Sequence, residues 1–547
     1  MDFDFIIVGG GSAGCVLANR LSANPLNKVL LLEAGPQSNS LSLRMPAAVL
    51  SNLKGTKHNW AFQGEPEQHL NGRRIQHDRG KTLGGSSSIN GMVFIRGHAM
   101  DFDGWRQAGC EGWGYEDVLP YFKRLENYSA GGDEFRGSGG PLNVQRPNPK
   151  NPLIHAFIDA GKQAGYPVTD DINGYCQEGF GFLDSSVYRG ERWSAAKAYL
   201  DPARKNRNLK IITDAHVQKL KFTGGIVSGV IYRDYLGQLH HINAQREILL
   251  CAGAVGSPQI LLLSGIGPSK HLEDIGVSVV SDAPGVGQNL NEHPDFVLKY
   301  QCKKPYSLWP QTKPLARTLA GIQWVLTRNG VCASNHFEVV ACIRSSAGVE
   351  YPDIQLTLSP IAVDDDTWSP LQQHAFQIHI GLMRARSRGH VELRSSDPMV
   401  HPKIFVNYLS DPWDRHTMRV GVKLVREIVN QSAMSNLTGQ EIFPGNQVQN
   451  IADLDECLNS HVSTQWHLSG TARMGSQADK GAVVDPNGRV HGIGGLRVVD
   501  ASIMPTVTNG NTNAPTIMIA EKISDHILGK PPLPREQTDV WKNPDYN

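Results

Sequence analysis

The chain has 547 residues, of which 40% are hydrophobic, so it is long enough for three or four domains of about 150 residues with a large core. Its 53 basic and 52 acidic residues nearly cancel, without any long run of Lys or Arg, which argues against nucleic acid or an anionic membrane as the main partner. Eight scattered cysteines without a C-x-x-C pair argue against a zinc site or a disulfide framework and suit reduced thiols in a cytoplasmic protein.

The first predicted element is a strand, Phe3 to Val8, that leads into the turn Gly9-Gly10-Gly11-Ser12-Ala13-Gly14. The turn matches G-x-G-x-x-G, and a predicted helix and a second apolar strand, Val29 to Leu32, follow it. Gly9 permits the tight turn, Gly11 lets a pyrophosphate approach the backbone, and Gly14 lets the helix pack on the strand. The helix N-terminus attracts phosphate, and Glu33 is placed to accept a hydrogen bond from a ribose hydroxyl. We therefore predict an adenine-dinucleotide site here.

Since the predicted strand begins at Phe3, no room remains for a signal peptide, and no apolar run approaches the roughly 18 residues that span a bilayer. We expect a cytoplasmic protein without a transmembrane segment, and peripheral membrane contact is left open.

A second glycine-rich block runs from Arg79 to Met92 and can bring backbone donors against a flat ligand without side-chain obstruction. Helices are predicted at 116–127, at 151–166 and around 195–200. Residues 209–243 are predicted to form a meander of short strands. A buried strand, Ile248 to Cys251, and a helix from Ser257 then repeat the strand–glycine–helix order of the N-terminus, which predicts a return to the same sheet.

Residues 300–460 differ in character. Apolar alternation at Asp353–Leu358 and Gln377–Met383 predicts antiparallel strands, and we expect a second domain that covers the cofactor. After residue 461 a strand is predicted at Leu496–Val499 and a helix at Ala514–Leu528, followed by an extended polar tail.

Four separated blocks now agree in order and spacing: Gly9 to Glu33, Arg79 to Met92, Gly253 to Gly267, and His467 to Thr516. Over nearly its whole length the chain resembles the glucose–methanol–choline (GMC) family of FAD-dependent oxidoreductases. The resemblance implies an α/β fold in which a Rossmann-like FAD-binding domain carries a second α+β substrate domain built on an antiparallel sheet. We expect the FAD-binding domain at 1–150, 205–300 and 461–529, the substrate domain at 151–204 and 301–460, and the tail at 530–547.

The resemblance also implies cofactor contacts along four parts of the chain. They are expected at the N-terminal turn, the second glycine block, the adenine position and the C-terminal region: Gly9, Gly11, Ser12, Ala13, Gly14, Glu33, Ala34, Trp60, Thr82, Gly84, Gly85, Ser86, Asn90, Gly91, Met92, Val93, Val217, Asp500, Ala501, Thr512 and Asn513. Some relatives link FAD covalently through a histidine in the second block. The matching position here is Ile89, which cannot form that bond, so we expect FAD to bind non-covalently and no metal to take part.

Alcohol oxidation needs a base for the hydroxyl proton while a hydride leaves the carbon for flavin N5. Histidine suits this task because its ordinary pKa of about 6.5 lies near working pH. Among 20 histidines, His467 lies in the block that matches the family's catalytic histidine. The family's partner residue falls at Asn511, with Asn513 as the alternative, and it would stabilise the developing charge on the substrate oxygen. Trp466 either walls the substrate cavity or packs in the core.

The predicted function is oxidation of a primary alcohol, or of an aldehyde hydrate, to the carbonyl, with electrons passed from FAD to O₂ or to a quinone-type acceptor. The alternative within the same fold is a lyase or decarboxylase that uses FAD without net oxidation, although His467 argues against the decarboxylase. A flavin carrier without turnover is a third possibility. An NAD-dependent Rossmann enzyme is set aside because it would have no use for the second glycine block.

Overall fold

The computed structural model describes residues 3–365, 367–544 and 546. Most strands are short, and the longest carry the two large sheets. In chain order the strands are β1 Phe3–Val8, β2 Val29–Leu32, β3 Phe62–Gln63, β4 Gln76–His77, β5 Glu126–Tyr128, β6 Leu142–Val144, β7 Gly179–Phe182, β8 Val187–Tyr188, β9 Glu191–Arg192, β10 Leu209–Ile212, β11 His216–Thr223, β12 Ile226–Arg233, β13 Leu239–Leu250, β14 Ile266–Gly267, β15 Ser281–Asp282, β16 Pro294–Cys302, β17 Val339–Ile343, β18 Ile354–Ser359, β19 Ala375–Leu382, β20 His390–Glu392, β21 Lys403–Phe405, β22 Thr438–Phe443, β23 Ser463–Thr464 and β24 Leu496–Val498.

The helices vary from single turns to the 18 residues of the longest. In chain order they are α1 Ser12–Ser22, α2 Leu41–Arg44, α3 Val49–Leu53, α4 Ala99–Gln107, α5 Tyr115–Leu125, α6 Pro152–Gln163, α7 Asp201–Ala203, α8 Gly253–Leu263, α9 Ser269–Asp274, α10 Trp309–Thr312, α11 Pro314–Thr327, α12 Pro412–Val429, α13 Ser432–Ser435, α14 Ile451–His461 and α15 Asn513–Ile527. In the described residues, none of them is both long enough and apolar enough to cross a bilayer.

The first large sheet has the strand order β10-β2-β1-β13-β12-β11, and β24 also pairs with β13. Strands β10, β2, β1, β13 and β24 run parallel, as expected for strand–helix–strand units. Helices α1 and α15 pack against each other, and Arg20 of α1 donates two hydrogen bonds to the buried Glu521 carboxylate of α15, at 3.0 and 2.6 Å. The two ends of the chain therefore meet at this sheet.

Two sequence predictions in this sheet need correction. The run at Leu209–Ile212 was expected in the meander, but β10 pairs parallel with β2. The runs near His240 and Ile248 were expected as separate strands, but they form one strand, β13. Its first half pairs antiparallel with β12 and its second half parallel with β1. Apolar alternation predicts that a strand exists, but it does not determine which strand pairs with it.

Helix α8 begins at Gly253, four residues earlier than predicted. The Asp500 carboxylate accepts from Gly253 N at 2.9 Å and from Ser257 Oγ at 2.6 Å, which holds the first turn. Pro258 inside the helix cannot bond to the carbonyl of Ala254, and that carbonyl accepts instead from Thr471 Oγ1 at 2.7 Å. Long-range partners thus extend the helix through a glycine and a proline that local sequence rules disfavour.

The second large sheet is antiparallel, with the order β22-β16-β19-β18-β17-β7 and β23 beside β16. Strands β18 and β19 lie where the sequence predicted strands. One face of the sheet is apolar and packs on α6 and α12 within a large buried cluster. The expected domain boundary at residue 300 falls inside β16, and Ala196 to Leu200, expected in the substrate domain, pack with the first sheet's core.

Of the C-terminal tail, residues 530–544 and 546 are described, and 545 and 547 lie outside the described residues. As expected, the described part contains no helix or strand. It is nevertheless attached to the body: Leu533 N donates to the Tyr121 hydroxyl, Arg535 Nε to Asp117 at 2.8 Å, and Trp541 N to the Tyr175 carbonyl at 2.9 Å.

Candidate active site

A cavity of about 1580 Å³ lies between the two large sheets. It exceeds the 300–1,000 Å³ typical of sites for drug-sized ligands, so it has room for a dinucleotide and a second small molecule. Every residue predicted for the site lines it except three, Gly14, Thr82 and Gly84. The lining members of the predicted set are Gly9, Gly11, Ser12, Ala13, Glu33, Ala34, Trp60, Gly85, Ser86, Asn90, Gly91, Met92, Val93, Val217, Trp466, His467, Asp500, Ala501, Asn511, Thr512 and Asn513.

The three exceptions support the cavity wall from behind. A Cβ on Gly14 would lie 2.0 Å from the Gly9 carbonyl oxygen, so only glycine lets α1 approach β1 this closely. Gly84 N donates to the Gly10 carbonyl at 2.7 Å, and Thr82 Oγ1 donates to the Pro36 carbonyl at 2.8 Å. The second glycine block is thereby fixed against the first.

The wall at the N-terminal turn is mostly backbone. Helix α1 has no side-chain cap, so no side chain takes the N–H groups of its first turn. A Cβ on Gly11 would meet its nearest atom at 3.7 Å, the Cys251 carbonyl oxygen, so a ligand can approach this backbone. Uncapped N–H groups at a helix N-terminus suit a pyrophosphate.

Glu33 lies at the end of β2 and lines the same wall. Its two oxygens accept from Gly10 N and Gly35 N, each at 2.8 Å. Burial raises the pKa of the Glu33 carboxyl to about 7, although these two hydrogen bonds oppose the shift. Each carboxylate oxygen keeps a second lone pair, so Glu33 can hold the glycine turn and still accept from a ribose hydroxyl.

The C-terminal residues complete this wall. Asn513 begins α15, and its Oδ1 accepts from Ser12 Oγ of α1 at 2.8 Å. Two residues that are 501 positions apart, both predicted for the cofactor, are therefore in direct contact. Helix α15 also lacks a side-chain cap, so a second uncapped helix N-terminus faces the cavity.

His467 sits between a second histidine and Asn511. Its Nδ1 lies 3.0 Å from His293 Nδ1, and its Nε2 lies 3.0 Å from Asn511 Nδ2. Burial, with smaller contributions from His293 and Arg79, lowers the pKa of His467 well below its usual value. His467 is therefore a neutral imidazole, the form that can accept a proton.

Glu292 holds the backbones of both histidines, His293 and His467. Its Oε1 accepts from His293 N at 2.8 Å and from His467 N at 2.6 Å, and its Oε2 accepts from Thr464 Oγ1 at 2.8 Å. Arg79 donates to the Trp466 carbonyl at 2.5 Å, and Trp466 itself adopts a left-handed backbone, with φ 61°. The imidazole is thus held by a rigid loop.

The antiparallel sheet forms a polar floor of the cavity. Alternate residues of three neighbouring strands point to it, and they are Asp295, Val297 and Lys299 of β16, Gln355, Thr357 and Ser359 of β18, and Gln377 and His379 of β19. His379 Nδ1 lies 2.8 Å from the Asp295 carboxylate. Burial opposes protonation, but the Asp295 carboxylate prevails and raises the pKa of His379.

Sequence reasoning does not assign this floor, nor Glu292, His293 or Arg79. The Glu292-His293-Pro294 triplet agrees with the family in sequence, but that agreement gives it no role. The signal for the floor is present: polar residues alternate with apolar ones along three strands that are buried on both faces. A polar stripe on a buried strand indicates a cavity or a partner.

Comparison with known proteins decides the family. Residues 3–295 match one family model and residues 385–520 another, and both are described as GMC oxidoreductase. The chain belongs to the GMC oxidoreductase family. It is accordingly an FAD-dependent oxidoreductase that acts on CH–OH donors, as the resemblance predicted.

The relatives of this GMC oxidoreductase align over their full length. It is 48% identical to a protein named oxygen-dependent choline dehydrogenase from Sinorhizobium fredii (strain NBRC 101917 / NGR234), over 100% of this chain and 99% of that protein. The protein of the same name from Brucella suis biovar 1 is 47% identical with the same coverage. Among solved structures, pyridoxine 4-oxidase from Mesorbium loti has a TM-score of 0.88 at 31% identity, covering 97% of this chain and all of that one. Formate oxidase has a TM-score of 0.90 at 26% identity, covering 96% and 98%.

The cavity fits FAD on its own chemistry. Two uncapped helix N-termini suit a pyrophosphate, Glu33 suits a ribose, and the open backbone at Gly11, Gly91 and Gly253 suits a flat ring system. Ile89, the position matched to the covalent histidine of some relatives, is a buried aliphatic side chain and leaves FAD non-covalent. In the described residues, Asn511 Oδ1 and Trp466 Nε1 are buried without a partner at the cavity, where a ligand would satisfy them.

Proposed function

We propose that this enzyme oxidises a primary alcohol, or an aldehyde hydrate, to the carbonyl, with His467 as the base and Asn511 as the group that orients the substrate oxygen. The observation that carries the proposal is the 3.0 Å contact between His467 Nε2 and Asn511 Nδ2 on the wall of the cavity that fits FAD. When bound there, FAD accepts the two electrons and the hydrogen that leave the substrate carbon.

The proton roles follow from the hydrogen bonds. A neutral imidazole has one nitrogen that donates and one that accepts. Because Asn511 Nδ2 donates to His467 Nε2, the Nδ1–H of His467 donates to His293 Nδ1. Nε2 then carries the lone pair that accepts from Asn511, and a substrate hydroxyl that replaces the asparagine contact delivers its proton to that atom. His293 keeps the tautomer in place as a positioning residue.

Asn511 rather than Asn513 suits the second role. Asn513 Oδ1 is engaged with Ser12 Oγ at 2.8 Å, whereas Asn511 contacts the base and its Oδ1 has no protein partner in the described residues. As negative charge develops on the substrate oxygen, the Asn511 amide N–H stabilises it.

We further propose that the predicted lining residues hold FAD, with Gly9 to Gly14 and Glu33 at the ADP half and the second glycine block at the ring. The polar floor and Trp466 would hold the substrate. The proteins from Sinorhizobium fredii and Brucella suis are named for choline, so choline is the first alcohol to test. O₂ or a quinone-type acceptor and a cytoplasmic location stay predictions, as do the domain bounds at 1–150, 205–300 and 461–529 and at 151–204 and 301–460.

The decisive experiment is an alcohol panel on the purified, FAD-loaded enzyme. Choline, pyridoxine, benzyl alcohol and short alkanols are added without oxygen, and loss of the flavin's visible absorbance is recorded. Bleaching by an alcohol supports oxidation, whereas a cleaved substrate with an unbleached flavin would establish the lyase or decarboxylase alternative. Peroxide release and dye reduction, measured in parallel on the best substrate, then identify the acceptor class.

A further inference from the structure

Helix α11 carries an apolar stripe that points away from the protein. Its members recur at spacings of four, three and four residues, which places them on one helix face. They are Leu315, Leu319, Ile322 and Leu326, with 74%, 57%, 51% and 77% of each residue exposed. The opposite face holds the buried Ala320 and Trp324, and Trp324 Nε1 donates to the Gly190 carbonyl at 2.7 Å. The helix is therefore fixed to the body with its apolar side outward, the reverse of an ordinary surface helix.

The sequence around the stripe is cationic. From residue 303 to residue 337 it contains five Lys or Arg residues and no Asp or Glu. Arg328 pairs with Glu191 at 2.7 Å. For Lys303, Lys304, Lys313 and Arg317, all exposed, the described part of the chain supplies no carboxylate partner within ion-pair distance. Lys313 also stands over the ring of Trp309, at 4.6 Å from its centre.

The occupant of this surface must accept apolar side chains and neutralise several cations together. A second copy of the chain supplies no acidic group from this segment, and a two-fold contact would bring the same cations near one another. An anionic lipid surface supplies both features, since its acyl boundary accepts leucines and its headgroups attract Lys and Arg. The near-zero net charge of the whole chain is compatible with binding to an anionic lipid surface, because acidic residues elsewhere in the chain balance the charge of this cationic segment.

We propose that α11 and its cationic flanks dock the enzyme on an anionic membrane surface. The leucine stripe enters the boundary between headgroups and acyl chains, and Lys303, Lys304 and Lys313 contact the headgroups. Leu308, Thr312, Arg317 and Gly321 of the same segment line the cavity. Docking therefore turns this side of the cavity toward the bilayer.

The test is vesicle sedimentation of the full-length, FAD-loaded protein. With vesicles of equal parts phosphatidylglycerol and phosphatidylcholine, we expect at least tenfold more binding than with phosphatidylcholine alone, and a decline as salt rises. The double variant Leu319→Gln/Leu326→Gln should bind at least tenfold less. The matched control is Leu236→Gln/Leu239→Gln, which replaces two comparably exposed leucines, 64% and 55%, near the β12–β13 turn and should leave binding unchanged.

A second pair of measurements separates membrane docking from a folding defect and from dimerisation. Leu319 and Leu326 do not line the cavity, so turnover with a water-soluble dye and thermal unfolding should match the wild type. If the stripe variant unfolds, Lys303→Gln/Lys304→Gln/Lys313→Gln should instead abolish the salt-sensitive binding. Equal binding by stripe variant and wild type would overturn the proposal, as would a wild-type dimer in sedimentation velocity that dissociates in the variant while vesicles bind neither protein. Vesicle binding needs no substrate, so its outcome is independent of the proposed alcohol oxidation.

Discussion

One wall of the cavity is formed mainly by backbone and the other by side chains. The wall at the parallel sheet is mostly backbone: glycine turns, two uncapped helix N-termini, and glycine positions where an added Cβ would strike a neighbouring carbonyl. The floor at the antiparallel sheet is made of side chains, with Asp295, Lys299, Gln377 and His379 projecting from strands whose other face is apolar. His467 follows β23 on the antiparallel side, and Asn511 precedes α15 on the parallel side, so the proposed base and its partner meet where the walls join.

The difference has a simple physical origin. A pyrophosphate and a flat ring are recognised by close approach to backbone N–H groups, and only glycine permits that approach. A small alcohol must be distinguished from other alcohols, which requires particular polar side chains at fixed positions. Substitutions in the two walls should therefore fail in different ways.

The largest effect is expected where the walls join. His467→Ala removes the proposed base, and loss of a general base typically lowers the rate by 10²–10⁴-fold. Steady-state kcat should fall by about that factor, while the protein retains its yellow flavin. A variant that kept nearly full turnover on the best substrate would show that His467 is not the base.

Replacing a glycine in the backbone wall should cost folding stability rather than chemistry. Gly14→Ala places a Cβ 2.0 Å from the Gly9 carbonyl oxygen, and overpacking of this kind costs about 3 kcal/mol. Urea unfolding should show that loss, together with poor FAD retention. Gly11→Ala is the matched control, since its Cβ meets its nearest atom at 3.7 Å; the apoprotein should keep its stability and lose affinity for FAD alone.

A change in the polar floor should alter substrate use and leave FAD in place. Asp295→Asn removes the carboxylate that raises the pKa of His379, so the pKa of His379 falls and the floor loses a negative charge. We expect kcat/KM to fall by about tenfold, a loss of about 1.4 kcal/mol, with unchanged flavin content. Asp282→Asn, at an exposed carboxylate on β15, should have no effect on kinetics. Loss of flavin from Asp295→Asn would contradict a floor that serves substrate.

The last effects concern the pH dependence of stability, and the two walls should give opposite signs. Burial raises the pKa of Glu33 to about 7, so the folded state keeps a proton there that the unfolded state has lost, and stability falls as pH rises from about 4.5 to 7. Burial lowers the pKa of His336, which also lines the cavity, to about 4. The unfolded state then binds the proton first, and stability falls as pH drops from about 6.5 to 4.

Each group therefore contributes up to about 1.4 kcal/mol per pH unit to the slope of the unfolding free energy, with opposite sign. Between about pH 4.5 and 6.5, Glu33→Gln should make the slope more positive and His336→Asn should make it less positive. Chemical unfolding at several pH values measures both slopes, and changes of equal sign would refute the assignment.

The backbone wall was accessible to sequence reasoning because glycine spacing encodes it directly. The N-terminal strand, turn, helix and Glu33 lie where the motif placed them, and β2, β18 and β19 lie within two residues of the predicted strands. The floor was not accessible. Knowing that Asp295 faces His379 requires the pairing of β16 with β19, and strand pairing across 80 residues leaves no local signature.

The same limit accounts for the other differences. The neighbour of β10 and the continuity of β13 depend on which strands meet, and the start of α8 depends on Asp500, almost 250 residues away. His293 could have been suspected, since it lies in a segment that resembles the family, but nothing in the sequence says that its ring touches His467. Contacts between distant residues are products of the fold rather than of any motif.

The ion pair between Arg20 and Glu521 joins residues that are 501 positions apart, and so does the hydrogen bond from Ser12 to Asn513 in the cavity wall. On a ribosome that adds about 5–20 residues per second, the nucleotide-binding turn emerges roughly 25 to 100 seconds before its closing helix exists. The flavin pocket is therefore complete only after synthesis of the whole chain. FAD should bind to the finished polypeptide, and nascent chains that stop short of α15 should leave the ribosome without FAD.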